Sequence, residues 1–325
     1  MTSHQFACGR FKQAQFLPPF DATHKACVVT IGSFDGVHLG HQQLLRQVVA
    51  QAAHLQLPSV VIVFEPQPHE FFSKENAPAR LMRLREKVQA LFAAGVDKVL
   101  CLRFNQQLRN LTANDFVAQV LVKGLGVKYL VVGDDFKFGC DRSGDFAALQ
   151  QQGEKHGFSV VDTQTQLATT EHDGTDRISS TRIRALLETD KFDQAAALLG
   201  APFSVAGRVV YGKQLGRTLG FPTANIGLGR YRSPVNGVYG VVLIANGQRY
   251  NAVANVGVRP TLGGRNKPIL EVHALTPTGN LYGEFVRVEF KFKIRQEMKF
   301  TSLDALKNQI ADDVSAAKRY FQSND

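Results

Sequence analysis

Ten residues, Gly32-Ser33-Phe34-Asp35-Gly36-Val37-His38-Leu39-Gly40-His41, constrain the fold of this chain more than any other stretch. An apolar run, Ala26 to Ile31, leads into them. Beyond them Leu44, Leu45, Val48, Val49 and Ala52 recur at the spacing of one helix face. The order is therefore strand, glycine-rich turn, helix. Glycines at 32, 36 and 40 let the backbone approach a ligand closely, and a helix start offers unpaired N–H groups and a positive dipole end to an anion. His38 and His41 meet at the same spot. The stretch reads as a polyphosphate cradle with two imidazole donors built in.

Alternation of strand and helix continues through the first half. Val28 to Ile31, Ser59 to Phe64, Lys98 to Phe104, Lys128 to Gly133 and Phe158 to Val161 read as strands. A helix from Ala113 to Gly124 would carry Phe116, Val117, Val120 and Leu121 on one side. This pattern predicts an α/β domain, a doubly wound parallel sheet that binds ligands at the carboxyl ends of its strands. The second half changes period. Val286, Val288, Phe290, Phe292 and Ile294 alternate with charged residues, as in a half-buried strand. Asn246-Gly247 is a hairpin signal, and Pro277 to Asn280 reads as another turn. Strands without intervening helices, then an amphipathic helix from about Leu303 to Phe321, predict an all-β antiparallel barrel with a terminal helix. Glu188 to Leu199 reads as a short helix closed by Gly200-Ala201-Pro202. The expected division is a first domain over 1–187, a linker over 188–202 and a second domain over 203–325.

A length of 325 residues favours two domains, and 44% hydrophobic residues suffice for a sizeable core. No apolar run approaches the ~18–20 residues of a membrane helix. The N-terminus lacks the apolar segment of a signal peptide. Cys8, Cys27, Cys101 and Cys140 form no CxxC pair, which fits a reducing cytoplasm. A formal net charge of +10 suits anionic small-molecule ligands, although a generally basic surface would give the same figure. Nucleic acid and membrane are not expected as partners: the positive charges are dispersed and no nucleic-acid motif appears. Self-association, at most weak, stays open.

A second clue is Arg177-Ile178-Ser179-Ser180-Thr181-Arg182-Ile183-Arg184. Ser179 or Ser180 can cap the helix that follows, yet arginines crowd its N-terminal end, where cations are disfavoured. An anion bound there resolves the conflict. A structural role for the histidines, or zinc, is the competing reading, but no cysteine or carboxylate cluster completes a zinc tetrahedron nearby.

Taken together, GSFDGVHLGH and RISSTRIR resemble the HxGH nucleotidyltransferases, specifically the adenylyltransferase half of the bacterial bifunctional riboflavin kinase/FAD synthetases. Phe64 to His69 and Val132 to Gly139 look like two further blocks of that family. The resemblance implies that His38 and His41 contact ATP phosphates, with Gly32, Ser33 and Phe34 in the same turn. It matches Arg177, Ser180, Thr181 and Arg184 to a second phosphate-binding block, and Asp135 to a position near nucleotide, metal or flavin. The phosphate of FMN is largely dianionic at neutral pH, its second pKa being about 6. It needs no strong base to attack the α-phosphorus of ATP. In-line positioning and cancellation of charge repulsion suffice, from histidine donors, arginines and Mg²⁺.

In the second half, Gly207 to Lys213 matches GxxxxGK, but Gln214 replaces the Ser/Thr that would hold magnesium, and the preceding residues alternate like a strand. It is not read as a phosphate loop. Gly216-Arg217-Thr218-Leu219-Gly220-Phe221-Pro222-Thr223-Ala224-Asn225 is the better candidate. Thr223 and Asn225 share a face on an extended backbone and offer hard oxygen ligands suited to Mg²⁺ with ATP phosphates. The stretch looks like the GRxLGFPTAN block of riboflavin kinases. That resemblance implies ATP contacts for Gly216 and Arg217, metal contacts for Thr223 and Asn225, and a general base at Glu271. Leu270, Val272 and Ala274 form an apolar face, so Glu271 points to the other one. Asn236 to Gly240 and Ile294 to Phe300 also resemble kinase blocks, the latter implying that Arg295 and Glu297 lie near flavin.

The expectation is a two-domain transferase. ATP and riboflavin give FMN in the barrel; ATP and FMN give FAD in the first domain. A cytidylyltransferase or a class I synthetase-like activator shares the HxGH motif. Neither explains the PTAN barrel, and the lysine-rich loop of a synthetase is absent from the sequence. A non-catalytic flavin- or RNA-binding regulator would not need two phosphate-handling sites.

Overall fold

The computed structural model describes residues 5–9, 26–73, 76–133, 136–163, 167–170, 174–212, 216, 219–229, 232–260 and 266–324. For 5–9, 163, 167–170, 174–177, 258–260 and 266–267 it describes the backbone alone. The chain forms two compact units, Met1–Ala77 with Leu84–Ser179, and Pro78–Arg83 with Ser180–Asp325.

In the first unit β1 (Gln5–Gly9), β2 (Cys27–Ile31), β3 (Ser59–Glu65), β4 (Lys98–Arg103), β5 (Val127–Gly133) and β6 (Ser159–Thr163) form one parallel sheet in the order β1-β4-β3-β2-β5-β6. Strand β1 was not read from the sequence. Successive β2 residues face opposite sides, and both sides are covered. Val29 and Ile31 join Phe116, Val117, Val120 and Leu121, while Val28 meets Val48 and Ala52 of α1 (Leu39–Leu55). Phe116 ends α5 (Ala113–Phe116), which continues as a π-helix over Val117–Gly124, so the expected helix is present with a wider last part. Earlier in the chain lie α2 (Pro68–Phe72), α3 (Leu84–Ala93) and α4 (Gln106–Arg109). After β5 come α6 (Phe146–His156) and, beyond β6, a hairpin of β7 (Leu167–Thr170) and β8 (Gly174–Arg177). Chain order reverses between β2 and β5, and a doubly wound sheet leaves its binding crevice at such a reversal. The glycine-rich turn leaves the carboxyl end of β2 at that point.

Beyond its segment Pro78–Arg83, the second unit carries α7 (Ser180–Glu188) and α8 (Phe192–Leu199). The helix expected over Glu188 to Leu199 is corrected at its start: Asp190, with φ 62°, separates α7, which ends at Glu188, from α8, which begins at Phe192. A closed barrel follows, β9 (Ser204–Val210), β10 (Ala224–Ile226), β11 (Gly237–Ala245), β12 (Gln248–Pro260), β13 (Asn266–Ala274) and β14 (Phe285–Arg295), in the order β10-β13-β12-β11-β14-β9. Its neighbouring strands pair antiparallel throughout. The terminal helix α9 (Leu303–Ser323) packs Ala317 and Phe321 on Val238, Val242 and Val253 of the outer wall. A register shift against β11 divides the alternating run in β14. Before it Phe290 meets Tyr239 and Phe203; after it Phe292 stacks on Tyr320 of α9 at 3.9 Å. Gly240 makes room for that ring, since a Cβ there would overlap Phe292.

Candidate functional site

The turn after β2 holds its shape against local preference. Phe34 (φ 45°) and Val37 (φ 40°) are left-handed without being glycine, which is unusual and most so for a β-branched side chain. Burial over-determines them, since Phe34 is 2% and Val37 4% exposed. The Gly32 amide donates to the Ile62 carbonyl at 3.1 Å, and Gln42 Nε2 donates to the Val37 carbonyl at 3.0 Å.

His38 is the N-cap of α1. Its Nδ1 accepts from the His41 amide at 3.3 Å, so in the neutral ring Nε2 carries the hydrogen. The two imidazoles stack, centroids 3.7 Å apart and planes 17° apart. Gly40 permits this, because a Cβ there would lie 3.3 Å from His38 Nδ1 and 3.6 Å from the Ile178 carbonyl. The Ile178 backbone thus lies close against Gly40 at the start of α1. Burial holds the His41 pKa well below its ordinary value, and the neighbouring His38 ring and Lys87 ammonium lower it further. At neutral pH His41 is an uncharged donor rather than a cation.

Of the remaining residues expected at this site, Ser180 opens α7, with Thr181 and Arg184 in its first turns. These three belong to the second compact unit, where Arg184 Nε donates to the Ala79 carbonyl at 2.6 Å. Arg177 ends β8 and is described by its backbone alone, and Asp135 lies outside the described residues. Sequence reasoning passed over an aromatic cluster near the carboxyl ends of β3 and β4. Phe71 and Phe72 both meet Phe104 edge-on, Phe64 meets it at 6.0 Å, and Arg109 lies over Phe72, whose side chain is 62% exposed. Rings directly after strands of a parallel sheet were the available signal.

In the barrel the second candidate site is a row across strands. Asn225 on β10 pairs with Glu271 on β13, and Glu271 pairs with Asn255 on β12. Leu270 and Val272 are each 1% exposed, so Glu271 faces away from the interior as its alternation predicts. Asn255 was not singled out from the sequence, where nothing marks it as the partner across from Glu271. Asn225 lies against Gly212, and a Cβ on Gly216 would come 3.2 Å from Thr223 Oγ1. Gly207 to Val210, the first four residues of the GxxxxGK match, lie in β9, while Lys213 lies outside the described residues. Arg217 lies outside the described residues. Arg295 grips the buried Asp313 of α9 through Nε and Nη2, both at 2.8 Å, while the Glu297 carboxylate lies against Gly257.

Thr223 and Asn225 offer hard, neutral side-chain oxygens, the chemistry that suits a divalent cation such as Mg²⁺. Among the described residues no three His, Cys, Asp or Glu side chains converge as a cation site of their own.

Comparison with known proteins covers both halves. Residues 20–182 match the FAD synthetase family model and residues 199–321 the riboflavin kinase model. The bifunctional riboflavin kinase/FMN adenylyltransferase of Pseudomonas fluorescens is 52% identical over 91% of this chain and 93% of its own. The proteins of that name from Escherichia coli K12 and Haemophilus influenzae are 49% and 48% identical, each over 92% of this chain and over 94% and 96% of their own. The crystal structure of a macrolide-efflux protein from Streptococcus pneumoniae aligns over 96% of this chain and 98% of its own, with TM-score 0.74 and 32% identity. Both catalytic halves are present in one chain, which belongs to the bifunctional riboflavin kinase/FMN adenylyltransferase family.

Proposed function

We propose how named residues divide the two reactions of this enzyme, a riboflavin kinase and FMN adenylyltransferase with ATP, riboflavin and FMN as substrates and FAD as product. The outward row Asn225–Glu271–Asn255, beside Thr223, carries the reading of the kinase. Glu271 accepts the proton of the riboflavin alcohol, a poor nucleophile at neutral pH. Thr223 and Asn225 hold Mg²⁺, which when bound neutralises charge on the ATP phosphates. Gly216 and Arg217 serve the same nucleotide, and Arg295 and Glu297 the flavin end.

In the first domain His38 and His41 donate as neutral imidazoles to crowded phosphoryl oxygens, while Gly32, Ser33 and Phe34 shape the turn. By the resemblance to the family's second phosphate-binding block, Arg177, Ser180, Thr181 and Arg184 serve ATP phosphates, and Asp135 lies near the nucleotide, metal or flavin. The exposed Phe72 edge of the aromatic cluster offers the FMN ring an apolar surface. No base is required, because the FMN phosphate arrives ionised.

The functional division assigned is 1–187 for adenylyl transfer and 203–325 for the kinase, joined by 188–202. Dispersed positive charge supports small anions rather than nucleic acid as the ligands. Among the described residues no helix is long and apolar enough to cross a membrane, and the buried Cys27 thiol, which donates to the Leu125 carbonyl, suits a cytoplasmic setting. Chromatography of flavins after incubation with riboflavin, ATP and Mg²⁺ tests the assignment. The wild type accumulates FAD, His38→Ala stops at FMN, and Glu271→Gln makes FAD only from supplied FMN. Loss of both reactions in a folded His38→Ala protein would overturn the division.

A further inference from the structure

The ladder between β10 and β13 pairs Ile226 with Leu270, Asn225 with Glu271 and Ala224 with Val272, and then stops. Two residues further out stands Pro222, which has no N–H to give a ladder. There the His273 side chain continues the connection: its Nδ1 lies 2.9 Å from the Pro222 carbonyl. A carbonyl only accepts, so Nδ1 carries the hydrogen. The same imidazole meets the Phe221 ring edge-on, centroids 5.5 Å apart and planes 83° apart. On its far side the turn is tied by the Phe221 amide donating to the Gly216 carbonyl at 2.8 Å. Across β13, His273 pairs in register with Val253 of β12, so the imidazole stands on paired strand.

His273 is two residues from Glu271 and shares its face, and the pinned carbonyl is one peptide from Thr223. Rotation of that peptide would displace the Thr223 hydroxyl relative to Asn225. Misplacement by about 1 Å is enough to cost of order 10²-fold in a positioned reaction. We infer that His273 is a positioning residue for riboflavin phosphorylation: by pinning the Pro222 carbonyl it sets the oxygens of Thr223 and Asn225 beside Glu271. This rests on the metal-end roles given above to Thr223 and Asn225.

The full-length protein tests it with two substitutions. His273→Phe keeps a ring against Phe221 but has no donor; His273→Asn returns an N–H near the place of Nδ1. One hydrogen bond of about 1.4 kcal/mol corresponds to a tenfold change. His273→Phe is therefore expected to raise the KM for Mg-ATP in FMN formation about tenfold, with kcat changed less and FMN adenylylation unchanged in the same sample. Hydrogen exchange of the amides over 219–226 should quicken, protection there by Mg-ADP should weaken, and His273→Asn should restore most of both. Unchanged KM and exchange in His273→Phe, or equal impairment in both variants, would overturn the positioning role. Thr223→Ala separates that failure from failure of the site. If Thr223→Ala leaves the Mg-ATP KM unchanged, the metal-end reading falls and the role of His273 falls with it. If Thr223→Ala raises it and His273→Phe does not, only the role of His273 falls.

Discussion

In the first unit the cradle is a single short stretch, Gly32 to His41, held in a strained path by buried neighbours. In the barrel, Asn225, Glu271 and Asn255 lie on three strands distant in sequence and meet only because those strands pair in one register. Under the proposed roles, the difference follows the nucleophiles. A phosphate dianion needs donors that cancel repulsion, and a turn at a helix start concentrates donors in a few residues. A neutral alcohol needs a carboxylate beside a cation site, and like or opposite charges are easier to set at fixed spacing on a rigid wall than on one loop.

The largest expected effect sets the two sites apart most sharply. Glu271→Gln keeps the shape but cannot accept the proton, so riboflavin turnover should fall roughly 10²–10⁴-fold. FMN adenylylation by the same protein should be unaffected. Near-normal phosphorylation would return Glu271 to an ordinary strand carboxylate and remove the contrast. On the other side, His41→Ala removes one donor from the cradle and should lower FAD formation by about 10²–10³-fold. FMN formation serves as its internal control.

A smaller effect probes how the barrel holds its helix. Asp313→Ala leaves the Arg295 fork without its partner at a largely buried position, a change that typically costs about 3 kcal/mol. Denaturant unfolding should show the loss in the barrel unit, and flavin affinity should weaken if Arg295 must be held for the flavin end to form. Unaltered stability would mean that α9 is held by its apolar face alone.

The smallest effect concerns pH. His41 is held neutral in the native state, whereas the unfolded chain binds a proton near the ordinary value of about 6.5. Its contribution to stability is therefore full above about pH 6.5 and is lost as pH falls below it, by at most about 1.4 kcal/mol per pH unit. Thermal unfolding of wild type and His41→Gln between pH 7.5 and 5.5 should show a flatter profile for the variant. Parallel profiles would mean that the imidazole is not held neutral by its surroundings.

Much of the first unit was legible because its signals are local. The glycine-rich turn, the apolar stripe of α1 and the strand–helix alternation each depend on residues a few positions apart. The barrel was legible as a class but less so in detail. Alternation across Val286 to Ile294 concealed the register shift that sends Phe292 to α9 and leaves Phe290 beside Tyr239. The helix expected from Glu188 starts only at Phe192, because nothing nearby in sequence announces that Asp190 takes a left-handed conformation.

From its sequence alone this chain determined which face of β13 carries Glu271, where the cradle lies and that two kinds of domain follow one another. Those properties come from backbone periods of two and 3.6 residues and from the conformations open to glycine. Only the tertiary structure decided that Asn255 stands across from Glu271, that Asp313 occupies Arg295, and that His273 reaches the Pro222 carbonyl. Closing a barrel sets the register between strands far apart in the chain, and that register depends on every strand at once.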